Sequence, residues 1–215
     1  MKRVAIFGTH GSAKTTLVYK LAAYFKMQNK NVTVIHETAR QSPFPINHAA
    51  VYQTTLFLIA SQLKKELEAE AEGFEISISD RTLSDAFVYI NHLKRDNVYT
   101  HMLEPFCMQW IKQYDVLVYL EPTPGYLPED DGRRACDLDY QMAIRDDFRL
   151  LIEKIERVHK DDLHLIKSES NHVFDEKHLR VLLAEIHQGV EDAAAVCGPQ
   201  EGSHRDPIAI QACID

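Results

Sequence analysis

The sequence contains no apolar run as long as the roughly 18–20 residues that a membrane-spanning helix needs. Its first segment, MKRVAIFG, has too short an apolar stretch for a secretory signal, so we expect a cytoplasmic protein. The eleven histidines form no H-x-x-x-H or H-E-x-x-H motif, which argues against a zinc site. No C-x-x-C pair exists among the four cysteines, which favours free thiols; they are Cys107, Cys136, Cys197 and Cys213.

The chain also has fewer basic than acidic residues. The chain has 24 Lys and Arg against 32 Asp and Glu, which gives a net charge of −8. This balance repels a phosphate backbone at long range, so nonspecific coating of DNA or RNA is not expected. It leaves room for one selected polyanionic ligand in a local basic cleft.

What the chain does contain is strand patterns that alternate with helix patterns, which indicates a mainly parallel sheet covered by helices. The predicted strands lie at residues 3–7, 31–37, 75–80, 115–122 and 163–167. The predicted helices lie at residues 14–28, 47–72, 83–95, 99–113, 138–159 and 175–195. One face of the second helix is expected to carry Tyr52, Leu56, Ile59, Leu63 and Leu67.

The length of 215 residues suits one domain, and we predict that it spans residues 1–197. Residues 123–137 are rich in Pro, Gly, Asp and Arg and have no apolar period, so they are predicted to form a mobile loop. The tail, residues 198–215, has weak periodicity and is predicted to be partly disordered.

The strongest local signal lies between the first predicted strand and the first helix. The segment GTHGSAKT, residues 8–15, is close to G-x-x-x-x-G-K-[ST], the Walker A loop that wraps backbone N–H groups around a phosphate. Lys14 would reach the β- and γ-phosphates, and the Thr15 hydroxyl would bind Mg²⁺. The predicted phosphate-binding set is Gly8, His10, Gly11, Ser12, Ala13, Lys14, Thr15 and Thr16.

Ala13 departs from this motif, because glycine normally precedes the lysine. Glycine allows the backbone to approach phosphate closely with φ above zero, whereas a methyl group could cost about 1 kcal/mol or more. The sequence leaves three explanations open: a tolerated natural variant, an engineered weakening of the site, or a site that has lost catalysis.

With this loop in place, the chain resembles the P-loop nucleoside and nucleotide kinases. The likeness is closest to the AAA-type ATPase/kinase group that contains the nicotinamide-riboside kinase domain, and thymidylate kinase is a more distant relative. The resemblance implies a three-layer P-loop fold, with a five-stranded sheet, helices on both faces and a mobile lid, that uses ATP and Mg²⁺. It rests on GTHGSAKTTL at 8–17, HETAR at 36–40, ISDRTLSDAF at 78–87 and PEDDGRR at 128–134.

The resemblance also implies roles on the acceptor side. Glu37, at the end of the second strand, would accept the proton of the attacking hydroxyl; the alternative is a glutamate that caps a helix or forms a salt bridge with Arg40. Asp80 would hold Mg²⁺ directly or through water, or replace Glu37 as the base. Arg81 has the shape for bidentate phosphate binding, and a structural Asp80–Arg81 pair is the alternative.

Residues of the predicted lid and of the second helix complete the expected site. Arg133 and Arg134, at the tip of the predicted lid, would close over the γ-phosphate, with Arg145 as an additional contact; the alternative is a solvated loop. Arg40, Arg81 and Gln53 are the expected acceptor-binding residues, and Tyr52 and Gln62 on the same helix are weaker candidates.

These features favour a kinase that transfers the γ-phosphoryl group of Mg·ATP to a nucleoside- or nucleotide-type acceptor, either free or as a hydroxyl on a modified base in DNA. A regulatory P-loop ATPase with a protein partner is the alternative from another class, and a loop that only binds nucleotide is a third. The sequence shows neither the acceptor nor the oligomeric state, and a homodimer stays open.

Overall fold

The computed structural model describes residues 1–123, 137–159 and 163–196. Its centre is a five-stranded sheet in the order β2-β3-β1-β4-β5, and every neighbouring pair is parallel. This confirms the predicted α/β class. The strands are β1 (Lys2–Phe7), β2 (Val32–Ile35), β3 (Ile76–Asp80), β4 (Val116–Glu121) and β5 (His164–Glu169).

Each predicted helix is present, with ends that differ by a few residues. The helices are α1 (Lys14–Met27), α2 (Tyr52–Ala71), α3 (Asp85–His92), α4 (Val98–Trp110), α5 (Leu138–Val158) and α6 (Glu176–Val196). None of them, within the described part of the chain, combines the length and apolarity that a membrane crossing requires.

The helices cover both faces of the sheet, as predicted, because β1 alternates its buried side chains between two cores. Val4 and Ile6 pack into a core with α1 and α6. Ala5 and Phe7 point to the other face, where α5 supplies most of the opposing side chains. The central strand is therefore buried on both sides, as expected for a parallel sheet.

The carboxyl ends of β1 and β3 lie side by side, since Ile6 is paired with Asp80 in the register of the two strands. The chain leaves β1 toward α1 and leaves β3 toward α3. Ligands of open α/β sheets bind outside the carboxyl ends of the strands, where the strand order reverses. The topology thus places residues 8–15 and Asp80 at one edge.

The start of α2 differs from the prediction. Residues 47–49 form a separate 3₁₀ turn, and the helix begins at Tyr52 rather than at Asn47. The Thr54 hydroxyl accepts a hydrogen bond from the Val51 N–H at 3.2 Å and donates one to the Pro45 carbonyl at 2.7 Å. These two bonds fix the first turn of α2 five residues later than the periodicity alone suggested.

The buried face of α2 also differs. Ile59 is buried, but Leu67 is 47 % exposed, so the predicted leucine face is wrong at its end. The buried residues are instead mostly polar or small: Thr54, Thr55, Ile59, Gln62, Glu66 and Ala69. Apolar periodicity cannot anticipate buried polar groups, because these groups are stable only with partners from distant segments.

Candidate functional site

The loop between β1 and α1 depends on glycine at two positions. Gly8 has a φ of +137°, and a Cβ built on it would lie 2.5 Å from the Leu120 carbonyl oxygen. Gly11 is also left-handed, with a φ of 69°. The loop ends at the amino terminus of α1, where backbone N–H groups without helical partners favour an anion. The predicted phosphate loop therefore has the expected backbone setting.

Ala13 is the residue immediately before α1 and has φ 61° and ψ 17°, which is the left-handed region. This conformation costs an L-residue roughly 1–2 kcal/mol, whereas glycine adopts it freely. The Ala13 methyl group is buried in the core that contains Leu17 and Val18. The loop thus holds the conformation that suits glycine and accommodates a methyl group inside the protein.

Lys14 is buried inside the loop. Its ammonium group donates hydrogen bonds to the Thr9 carbonyl at 2.5 Å and to the Ser12 hydroxyl at 3.3 Å. Burial and, next, repulsion from Arg81 lower the pKa of Lys14 to about 8. A bound anion would favour the charged form of this side chain.

Thr15 and Asp80 are joined directly. The Thr15 hydroxyl donates to Asp80 Oδ2 at 2.6 Å, and Asp80 Oδ1 is enclosed without a hydrogen-bond partner among the described residues. In that part of the chain, no three His, Cys, Asp or Glu side chains form a metal cage. Mg²⁺ commonly uses one or two protein oxygens together with water and substrate phosphates, so this pair fits a Mg²⁺ site.

Arg81 lies between two carboxylates. Its Nε donates to Glu37 Oε1 at 2.6 Å, and its Nη1 donates to Asp85 Oδ2 at 3.4 Å. The guanidinium group also lies over the Tyr89 ring, 5.6 Å from the ring centre. Its backbone has φ 102°, a region that residues with side chains rarely adopt. The structure therefore pairs Arg81 with Glu37 rather than with the preceding Asp80.

The two carboxylates around Arg81 differ electrostatically. Burial alone would raise the pKa of Glu37, but attraction to Arg81 and Lys14 outweighs it, and the pKa is lowered. Burial dominates for Asp85 and raises its pKa, against the opposing effects of Arg81 and Thr82. Glu37 is therefore the carboxylate that is held ionised beside the loop.

One pocket joins these groups. It is lined by residues 10–16 of the loop and by Glu37, Arg40 and Arg81. Gly8 and Gln53 do not line it, and Asp80 approaches it through its contact with Thr15. The opposite part of the pocket is formed mainly by α2, α3 and the segment before α3: Thr54, Thr55, Leu58, Gln62, Thr82, Leu83, Asp85, Ala86, Tyr89 and Ile90.

Most of this second wall was not identified from the sequence. A usable signal existed for Asp85, which lies four residues after Arg81 and accepts hydrogen bonds from the Thr82 N–H and hydroxyl. Tyr89 follows four residues later on α3. A period of four residues from Arg81 would have placed both on the pocket side of the helix.

His10 is fixed through its backbone. Its N–H donates to the Tyr89 hydroxyl at 3.1 Å, and its carbonyl accepts from Gln141 Nε2 at 2.8 Å. Burial and, next, the charge of Lys14 lower the pKa of the His10 ring to about 4. The ring is neutral near pH 7, so His10 holds the loop by hydrogen bonding and brings no charge to it.

The predicted lid lies almost wholly outside the described residues, and with it Arg133 and Arg134. At its far end, Asp137 caps α5 by accepting from the N–H groups of Asp139 and Tyr140. The Arg145 guanidinium contacts the Asp146 carboxylate at 2.7 Å.

Comparisons with known proteins agree with this fold. A family model described as AAA domain matches residues 3–162. A solved structure of a NadR protein in complex with NR shares the fold, with a TM-score of 0.64 and 20 % identity over 88 % of this chain and 52 % of that one. The chain thus spans about half the length of that protein.

A second solved structure is deoxyadenosine kinase from M. mycoides with bound dATP. Its TM-score is 0.61 at 14 % identity, over 87 % of this chain and 100 % of that one. Among curated protein sequences, none matches significantly.

Proposed function

The chain belongs to the AAA domain family, and from that premise we propose that it transfers the γ-phosphoryl group of Mg·ATP to a hydroxyl of a nucleoside- or nucleotide-type acceptor. The family match and the Walker A loop support a nucleotide donor. The two similar structures support the acceptor class, because one contains NR and the other is a deoxyadenosine kinase with dATP.

One observation carries the proposal. The phosphate loop and the Glu37–Arg81 pair line the same pocket, so a phosphate on Lys14 and a hydroxyl at Glu37 would be neighbours. Phosphoryl transfer requires little covalent chemistry from the protein beyond such positioning and the stabilisation of charge. A regulatory ATPase needs room for one water molecule, whereas this pocket extends beyond Glu37 to α2 and α3.

On the donor side, the loop N–H groups and Lys14 would hold the phosphates of ATP. Mg²⁺, which the Thr15 hydroxyl and the Asp80 carboxylate fit, would neutralise phosphate charge when bound. The lowered pKa of Lys14 comes mainly from burial, and phosphate oxygens would favour its charged form.

On the acceptor side, Glu37 would orient the attacking hydroxyl and accept its proton late in the reaction. Arg81 keeps this carboxylate ionised and in place, because it donates to Oε1 and is itself held by Asp85. Arg40 lines the pocket near Glu37 and would contact the acceptor. Arg133 and Arg134 are also proposed contributors, as lid residues that neutralise charge on the transferred group.

A direct test is the formation of ADP from Mg·ATP with and without added acceptors. A kinase gives ADP formation that depends on one acceptor class and phosphorylates that acceptor in equal amount. A regulatory ATPase gives a slow rate that no acceptor changes, together with free phosphate, and this result would replace the proposal.

A further inference from the structure

The α2 side of the pocket contains a glutamine whose orientation is set by its neighbours. Gln62 lines the pocket from α2 and is almost fully buried. Its side-chain nitrogen donates to Glu66 Oε1 at 2.9 Å and, more weakly, to the Arg81 carbonyl at 3.4 Å. Both neighbours are hydrogen-bond acceptors, so the reversed amide would place its oxygen against two other oxygens. The amide nitrogen therefore points away from the pocket.

The carbonyl oxygen of Gln62 is the group left for a ligand. This oxygen accepts no hydrogen bond from the described residues. It is also not one of the side-chain atoms in this part of the chain that are both buried and without a hydrogen-bond partner. It is therefore accessible from the pocket that Gln62 lines. The same pocket offers apolar surface from Leu58, Leu83 and Ile90. A polar ligand group placed there needs a partner, because burial without a hydrogen bond is costly.

Glu66 fixes the orientation of the Gln62 amide. Its carboxylate is 1 % exposed and accepts three hydrogen bonds, from Gln62, from Trp110 Nε1 at 2.7 Å and from the Tyr114 hydroxyl at 2.8 Å. All three groups are donors, so the network is consistent only if Gln62 presents its nitrogen to Glu66. Trp110 and Tyr114 belong to the α4 end of the fold, far from the phosphate loop in sequence.

We propose that the pocket reads the ring of its acceptor through the Gln62 carbonyl oxygen, and therefore takes an acceptor whose ring carries an amide or amine N–H on the Gln62 side of the pocket. Glu66 is the positioning residue that fixes this polarity. The inference rests on the proposed function, since it concerns the acceptor of the same site. It adds the requirement that the acceptor ring donates a hydrogen bond here. A ring that offers only hydrogen-bond acceptors at this position would be repelled by the Gln62 oxygen and by the nearby Glu66 charge.

The test uses pairs of ribosides that differ only in this property: uridine and 3-methyluridine, adenosine and purine riboside, and nicotinamide riboside and nicotinic acid riboside. Binding is measured by calorimetry, and phosphoryl transfer from Mg·ATP is measured in parallel as kcat/KM. We expect the N–H member of at least one pair to be preferred about tenfold or more, since sites built for a hydrogen bond reject analogues that lack it.

Three variants separate positioning from stability. Gln62→Leu removes the reading group, and Glu66→Gln removes the charge and lets the Gln62 amide reverse; both should bring the preference to within about threefold of one. Glu68→Gln makes the same chemical change on the same helix at a residue that pairs with Lys64 at the surface, and it should keep the wild-type preference. Thermal melting shows whether each variant folds. If Glu66→Gln does not fold, the preference for the N–H riboside in the wild type and its loss in Gln62→Leu still test the inference.

The outcomes distinguish the two claims. Transfer without a preference for any N–H member overturns the inference and leaves the kinase proposal intact. Selective binding supports the inference, and if no transfer occurs to the ribosides, to deoxynucleoside monophosphates or to DNA with hydroxymethylated bases, the kinase proposal is overturned. Absence of both binding and transfer for every riboside overturns the inference, and absence of transfer to every acceptor class overturns the kinase proposal.

Discussion

The Thr15 hydroxyl donates a hydrogen bond to Asp80 Oδ2 at 2.6 Å and joins the first turn of α1 to the carboxyl end of β3. The other Asp80 oxygen is enclosed and has no partner among the described residues. A buried carboxylate oxygen left in this state is costly unless a cation or a donor uses it. The contact is therefore the local basis for the Mg²⁺ site that we propose at this pair.

Asp80→Asn tests this assignment because it keeps the size of the side chain and an oxygen for Thr15 but removes the charge. We expect the Mg²⁺ concentration for half-maximal activity to rise about tenfold or more, since the charged ligand is lost. Activity is measured over a Mg²⁺ titration at fixed ATP. An unchanged Mg²⁺ requirement would remove Asp80 from the metal site.

Ala13→Gly should cost much less stability than glycine inside α1. The backbone at Ala13 is left-handed, so glycine removes a strain of roughly 1–2 kcal/mol, which offsets its own entropy cost and the loss of a buried methyl group worth about 0.8 kcal/mol. Thermal or urea unfolding measures the change. Ala23→Gly is the matched control, because Ala23 is exposed within α1 and glycine there should destabilise by about 1 kcal/mol. A loss of stability at Ala13 as large as that at Ala23 would contradict the strain at Ala13.

Glu37→Gln should lower turnover far more than ATP affinity. The amide cannot accept a proton, and general-base catalysis contributes about 10²–10⁴ in rate. Arg81 retains Asp85 as a partner, so the pocket should stay folded. The measurements are kcat under saturating substrates and the Kd of ATP, with exposed Glu72→Gln as the control. If kcat is unchanged, the base role passes to Asp80 or no base is needed.

Glu66→Gln should change stability in a manner that depends on pH. Burial raises the pKa of Glu66 above its ordinary value of 4.5, against the effect of its three donors. A carboxyl group with a raised pKa in the folded protein stabilises it below the unfolded pKa, and this contribution is lost as pH rises through the folded pKa. The neutral amide has no such loss.

The melting temperature of Glu66→Gln, relative to that of the wild type, should therefore increase as the pH rises above 4.5 and through the raised pKa of Glu66. Surface variant Glu68→Gln should show no comparable trend, because its carboxylate is solvent-exposed. A difference that is constant or falls with pH would mean that the three hydrogen bonds, not burial, dominate the energetics of Glu66.

The fold and the phosphate loop could be predicted from the sequence because the patterns that indicate them are local. Buried strands, amphipathic helices and the glycines at 8 and 11 each occupy one continuous segment. The position of GTHGSAKT between a strand and a helix then placed the loop at the sheet edge. No assembly of distant residues was needed for these predictions.

The acceptor half of the site was harder to predict from the sequence because its contacts join residues that are far apart along the chain. Arg81 had to be matched with Glu37, and the buried polar face of α2 depends on Trp110 at the end of α4 and on Tyr114 in the segment that follows. Propensity and periodicity do not encode such pairings. The roles of the lid arginines stay predictions, since Arg133 and Arg134 lie outside the described residues.

The most direct test of the kinase proposal is transfer of labelled γ-phosphate from Mg·ATP to nucleosides, deoxynucleoside monophosphates, nicotinamide riboside and DNA with hydroxymethylated bases. The wild type, Ala13→Gly and Lys14→Met are assayed side by side. We expect label in one acceptor class with the first two proteins and a loss of at least about a thousandfold with Lys14→Met. The account would be contradicted if label appeared only as free phosphate, or if it stayed on ATP with both the wild type and Ala13→Gly.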